Sequence, residues 1–447
     1  MAGDTRLALA AIAGIVLAVV LIVRGRLHPF IALLCGAFVI GPLSGLSLAD
    51  TAKSVQKGAG DILGGTGLVV ALGMSLGAML QLSDGAAGLA RLMLGDPQLR
   101  RAPWMSLLVA FVIGLPLFFE TGLVLLLPII ASAAVTLPDT RRGNAAKLEL
   151  MLAALSGLSV LHALVPPHPG PLLAVGALGA NLGRTLCYGL LVAIPTAIVA
   201  GPVFARLGAR NVSLAASIAV PKALPEHSVP VGRALLVVLL PILLILAGQA
   251  ESLAPSSVAP HLKWLSVASN PVLALLVACL VALPLLFGRR VWDSAVQQAI
   301  WRDAMQPVGS ILLAIGAGGA LKQVLVGTGF SDSLARLAVS ASFSAIVLGW
   351  LLAVAIRLAT GSATVATITA AGIMPGVIAA SGASPEWTVL AIGAGSVFFS
   401  HVNDPGFWLV KSYLGTDMPA TFRTWSVLET IISVVGLLLV YALSHLL

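Results

Sequence analysis

The chain has 447 residues, of which 59% are hydrophobic and 9% charged, with a formal net charge of +8. Soluble domains carry roughly 25% charged residues, so this composition excludes an ordinary aqueous domain and leaves an all-α polytopic membrane protein. The basic excess shows no stripe interleaved with aromatics; it reads as loop arginines that orient the chain in a membrane, and no nucleic-acid partner is expected.

The first apolar run, residues 7–23, has the length of a signal-peptide core, but Arg24 and Arg26 follow at once and a second run, 27–46, begins beside them. It is expected to remain as the first helix. Further spans fall near 62–82, 148–165, 185–205, 233–250, 268–288, 307–327, 387–400 and 423–447. Two other stretches, 104–138 and 338–380, are apolar but interrupted by Glu120-Thr121-Gly122 and Thr360-Gly361-Ser362. The first suits a hairpin that enters the membrane and turns back; the second suits a span followed by a hairpin or half-helix pair, placed near 357–380. Cys35, Cys187 and Cys279 all lie in apolar sequence and read as small core residues.

Two segments place helix breakers and titratable groups at membrane depth: His162 to Pro171, with Pro166, Pro167, His168 and Pro169, and Ser400-His401-Val402-Asn403-Asp404-Pro405-Gly406. Unwound backbone persists there only where protein or a water-filled cavity satisfies it, as at a transporter's binding site.

Placing Arg24 and Arg26 in the cytoplasm and alternating spans collects every dense basic loop on one side, including the polar stretch 206–232. The loops 47–61, 251–267 and 381–386 then lie outside and carry only Lys53, Lys57 and Lys263. Thr121-Gly122 matches Thr360-Gly361, His162 matches His401, Pro166 matches Pro405 and Arg184-Thr185 matches Arg423-Thr424, all at one offset (401 − 162 = 239). The chain is therefore expected to consist of a first repeat, 1–205, a cytoplasmic linker, 206–232, and an inverted second repeat, 233–447.

Candidate chemistry follows from these points. A hairpin tip at Arg357 to Thr364 exposes helix N-terminal N–H groups beside Ser362 and Thr364, which suits a carboxylate with neighbouring hydroxyls; the competing reading is helix packing through small residues. Glu120 is an isolated carboxyl and the first candidate for carrying a proton, or else the ion-pair partner of an arginine such as Arg357. His162, His168 and His401 can donate to an anion or relay a proton, or serve as hydrogen-bonded core. Asn403 and Asp404 offer oxygen ligands and a second acid, which leaves proton and sodium coupling both open. His162, His168 and Asp404 lack metal-ligand spacing, and no His-Glu-x-x-His, Walker or Cys-x-x-Cys motif occurs. Neither a metal nor an enzymatic activity is expected; the remote rival is an intramembrane enzyme using His168 and Asp404.

Gly114-Leu115-Pro116-Leu117-Phe118-Phe119-Glu120, the His162 to Pro171 run, Arg357 to Ala366, and Gly395-Ser396 through Trp408 together resemble the gluconate permease family of sugar-acid:proton symporters, within the wider superfamily of inverted-repeat ion transporters. The resemblance covers most of the chain. It implies a multi-pass carrier of the bacterial inner membrane, forming a homodimer in the lipid bilayer, that imports gluconate or a similar small carboxylate by alternating access. No cofactor is implied beyond a coupling ion, taken as H+. Carriers of other hydroxy- or amino-carboxylates share the family. Arg357, His162, His168, His401, Gly361 and Ser362 are then expected around the carboxylate, Thr121, Thr364 and Asn403 at the hydroxyls, and Glu120 or Asp404 on the proton.

Overall fold

The computed structural model describes residues 2–85, 102–115, 141–209, 229–247, 270–330, 343–401 and 404–446, with a few isolated positions between these ranges. Among the described residues there is no strand. Helices α1 (Ala2–Val23) and α2 (Pro29–Ser44) pack as a pair across the Arg24 to His28 turn. Pro29 occupies the first turn of α2, where a missing N–H costs nothing, and Gly45 ends it in the left-handed region with φ 104°.

The sequence 47–61, expected as an outside loop, is instead helix α3 (Leu48–Ile62). Ser47 caps it by accepting the Asp50 N–H at 3.0 Å, and Lys53–Asp50 and Lys57–Asp61 pairs line its wet face while Thr51, Gly58 and Ile62 are buried. Low average hydropathy hides such a helix; its apolar residues are periodic, not abundant. A π-type turn (Leu63–Gly67) joins it to α4 (Leu68–Leu82).

Helix α5 (Ala102–Gly114) is the entering arm of the first interrupted stretch, whose remainder lies mostly outside the described residues. Next come α6 (Arg141–Leu164), α7 (Pro169–Leu178) and α8 (Leu182–Ile198), then a π-type turn (Val199–Val203) and α9 (Phe204–Gly208). Helical structure thus runs into the expected linker as far as Gly208; residues 210–228 lie outside the described set.

The second half runs α10 (Val231–Ala247), α11 (Pro271–Phe287) and, after a short 3-10 turn, α12 (Ser294–Gly327), which begins well before the span expected from residue 307. In the second interrupted stretch α13 (Ala345–Thr360) turns into α14 (Ala363–Ile373), with Gly361 at φ 74° and Ser362 as the tip. A 49° bend leads to α15 (Pro375–Ser381). Helices α16 (Pro385–Ser396), α17 (Pro405–Leu414), α18 (Met418–Thr421) and, past a π-type turn (Phe422–Ser426), α19 (Val427–Leu443) complete the chain.

Among the described residues, five helical segments are long and apolar enough to cross a membrane. The one spanning Asn144–Leu178 has 89% of its apolar window buried, against 22% for Thr5–Ile22, so α6 is the axis of the molecule and α1 belongs to its lipid-facing rim. Lipid supplies no hydrophobic drive between helices, so close backbone approach takes its place. At the crossing of α3 with α12, a Cβ on Gly58 would lie 2.2 Å from the Gly319 carbonyl oxygen, which only glycine tolerates. Lys322 of α12 donates to the Ala177 carbonyl in the last turn of α7, joining the halves.

The breaks are set by local chemistry. In both halves a polar residue followed by proline starts a ten-residue half-helix, and a left-handed glycine ends it: His168-Pro169 to Gly179, and Asp404-Pro405 to Gly415. Asn181 then caps α8 and Asp417 caps α18, with Thr185 and Thr421 each donating to the cap residue's carbonyl, at 2.8 and 2.7 Å. These points share an offset of 236 (415 − 179). Pro405 thus holds the same place in its half-helix as Pro169, and Thr421 the same place beside its cap residue as Thr185.

Candidate functional site

A cavity of about 490 Å³ lies where the α13–α14 tip, the break before α17 and the start of α19 meet α6. Its wall includes Gly361, Ser362, Ala363 and Thr364 from the tip, Asp404, Pro405 and Gly406 from the break, and Trp425 and Glu429 beyond it. Ser159 and His162 come from α6, Phe119 from the first hairpin stretch, and Arg26 from the α1–α2 turn. Its volume sits within the roughly 300–1,000 Å³ of small-molecule sites.

At the tip, the Gly361 N–H donates to the Arg357 carbonyl at 2.8 Å and the Ser362 N–H to the Thr360 hydroxyl at 3.3 Å. These two N–H groups, expected to hold substrate, are consumed by the turn itself. Ser362 caps α14 by accepting from the Val365 N–H at 3.3 Å. The first-turn N–H groups of Ala363 and Thr364 have no intrahelical acceptor, so the positive end of the α14 dipole rests at the cavity wall.

Arg357 is buried, and its guanidinium donates to the Gly361 carbonyl and to the Asp404 carboxylate. Asp404 also accepts from the Ser400 hydroxyl and, at 2.7 Å, from the Gly406 N–H. In all three contacts its oxygens act as acceptors. This pairing makes Arg357 and Asp404 a brace across the break. The break is tied further by the Trp425 indole N–H, which donates to the Ser400 hydroxyl at 2.8 Å, and by the Ser426 hydroxyl, which donates to the Ser400 carbonyl. Trp425 stacks on Phe119 with ring centroids 5.5 Å apart, giving the cavity an aromatic face.

The three histidines separate. His162, in the last turn of α6, lines the cavity. His168 lies behind it, 5.9 Å between ring centroids, with Nε2 at 2.9 Å from the Gly114 carbonyl; its surroundings are a small apolar pocket of about 20 Å³. His401 is half-buried beside Phe399 with Nε2 at 3.3 Å from the Leu358 carbonyl, again off the cavity wall. Both fit structural hydrogen bonding better than substrate contact. Glu120, Thr121 and Asn403 lie outside the described residues.

Sequence reasoning passed over Ser159 and Glu429, whose side chains meet in a hydrogen bond at the cavity wall. Glu429 was findable as the only acidic residue in the apolar stretch 423–447; Ser159 carries no comparable signal. Among the described residues, no group of three or more His, Cys, Asp or Glu side chains is placed to hold a metal.

A polar cavity framed by interrupted helices inside an apolar helical body defines a multi-pass membrane transport protein. The family model for GntP family permease matches residues 6–446. Similar curated proteins include a gluconate permease of Pseudomonas aeruginosa, 43% identical with 99% of each chain covered, and a high-affinity gluconate transporter of Escherichia coli K12, 37% identical over 95% of this chain and 96% of that one. An L-idonate transporter of the same Escherichia coli strain is 36% identical over 97% of this chain and 98% of its own. The crystal structure of the Alcanivorax borkumensis YdaH transporter shares the fold, with a TM-score of 0.65 at 17% identity, covering 94% of this chain and 98% of that one. The chain belongs to the GntP family of permeases, and is a transporter, not an enzyme.

Proposed function

We propose that this permease imports gluconate or a closely related sugar acid with protons across the bacterial inner membrane, by alternating access between two inverted repeats, residues 1–205 and 233–447, with the central linker in the cytoplasm. The observation that carries the reading is the cavity at the α14 N-terminus, where Ala363 and Thr364 present backbone donors and the Ser362, Thr364 and Ser159 hydroxyls surround them. A carboxylate is matched by helix N-terminal N–H groups and dipole, and sugar hydroxyls by side chains that both donate and accept. His162 adds a donor, and the Phe119–Trp425 face meets the carbon backbone. Relatives named as gluconate and L-idonate transporters support this class of solute.

Alternating access asks for segments that can rearrange without exposing free backbone to lipid, and the interruptions at 165–168 and 397–401 support that reading. Purified protein in liposomes is expected to take up labelled gluconate saturably when the outside is acidified, and to stop when a protonophore collapses the gradient. Undiminished accumulation with protonophore present overturns the coupling; uptake of an unrelated dicarboxylate in preference to gluconate overturns the substrate.

A further inference from the structure

Glu429 stands in the apolar helix α19 and is 2% exposed, yet it borders the cavity. Its carboxylate accepts the hydroxyl of Ser159 on α6, so the bond joins the two halves across the site. A hydroxyl donates to a carboxylate and accepts from a carboxylic acid equally well, so this link survives a change of protonation at Glu429.

The charged and titratable groups sharing the wall are Arg357 from α13, Asp404 ahead of α17, His162 from α6 and Arg26 at the exposed mouth. Helices α8 and α16 also pack on α19 and add no charged residue to the wall. Arg357 and Asp404 form an ion pair and offset one another, both within electrostatic reach of Glu429. With Arg357 taken up by Asp404, Glu429 is the carboxyl of this wall outside that ion pair. An entering carboxylate would then face, in ionised Glu429, a like charge on a buried side chain, where such repulsion is strong. A proton on Glu429 removes it.

On the sugar-acid:proton reading above, we propose that Glu429 carries the coupling proton, so that anion and proton occupy the cavity as one electroneutral set. The proton comes from water on one side, forms an O–H bond at the Glu429 carboxyl, and returns to water on the other when the anion leaves. No other bond is made or broken.

The test compares wild type with E429Q in proteoliposomes. Wild type accumulates gluconate under an acid-outside gradient, and its gluconate affinity falls about tenfold per pH unit once Glu429 ionises. E429Q exchanges labelled gluconate across the membrane, loses gradient-driven accumulation at least tenfold, and binds gluconate with no pH dependence. Failure of wild type to accumulate gluconate overturns the proposed function itself. Equal accumulation by wild type and E429Q overturns only the role of Glu429. If E429Q does not reconstitute, S159A decides: loss of the hydroxyl displaces the pH at which gluconate affinity falls, and an unchanged profile sinks the assignment.

Discussion

The two breaks share a grammar of polar cap, proline and closing glycine but end in different chemistry. Around His168, prolines and apolar side chains close down to a pocket of about 20 Å³ and the imidazole is fixed on the Gly114 carbonyl. Around Asp404, an arginine, two serines and an indole hold the backbone open beside a cavity of about 490 Å³. The difference lies in where polar partners are available. A proline-rich turn buried in apolar sequence needs few and seals. A longer interruption needs many, and those partners also build a polar room.

The sharpest way to break this contrast is D404N. It leaves Arg357 buried without its counter-charge, so a loss of about 3–5 kcal/mol is expected in thermal or denaturant unfolding in detergent. A stable D404N would mean that the second break does not depend on its ion pair. H168A comes next. Stranding the buried Gly114 carbonyl is expected to cost about 1–3 kcal/mol while leaving gluconate affinity unchanged. H162A should instead weaken gluconate binding, measured by calorimetry, and equal affinity losses in both variants would erase the distinction between wall and backing. The smallest effect belongs to E386A, at the rim. The Glu386 carboxylate accepts the Asn181 N–H at 3.0 Å, tying the loop before α8 to the start of α16, and at a half-exposed site its loss is expected to cost up to about 1 kcal/mol.

Much of the architecture was legible because helix breakers and charges are scarce here, and each stands out against 59% hydrophobic residues. That is how His162, Thr360-Gly361-Ser362 and Asp404-Pro405-Gly406 announced the interruptions. Pairing was not legible. Arg357 and Asp404 are 47 positions apart, and nothing local links them; Arg357 was therefore matched with substrate or Glu120. Glu429 carried the same signal, a single acid in an apolar stretch, and was passed over, while α3 hid because its charges lower an average that its apolar period does not need. The two half-helices and their closing glycines stand 236 positions apart, where matched residues in the sequence suggested 239, because capping geometry, not residue identity, fixes where a half-helix begins.

Lys322 gives the first break a mechanical character. Its ammonium, planted in the 34-residue helix α12, grips the final turn of α7, at the negative end of that half-helix's dipole. A rod from one half thus braces the severed segment of the other, and α7 must give up this contact to part from α12. If the proposed carrier alternates its access, severing this contact with K322M is expected to slow turnover more than it weakens binding.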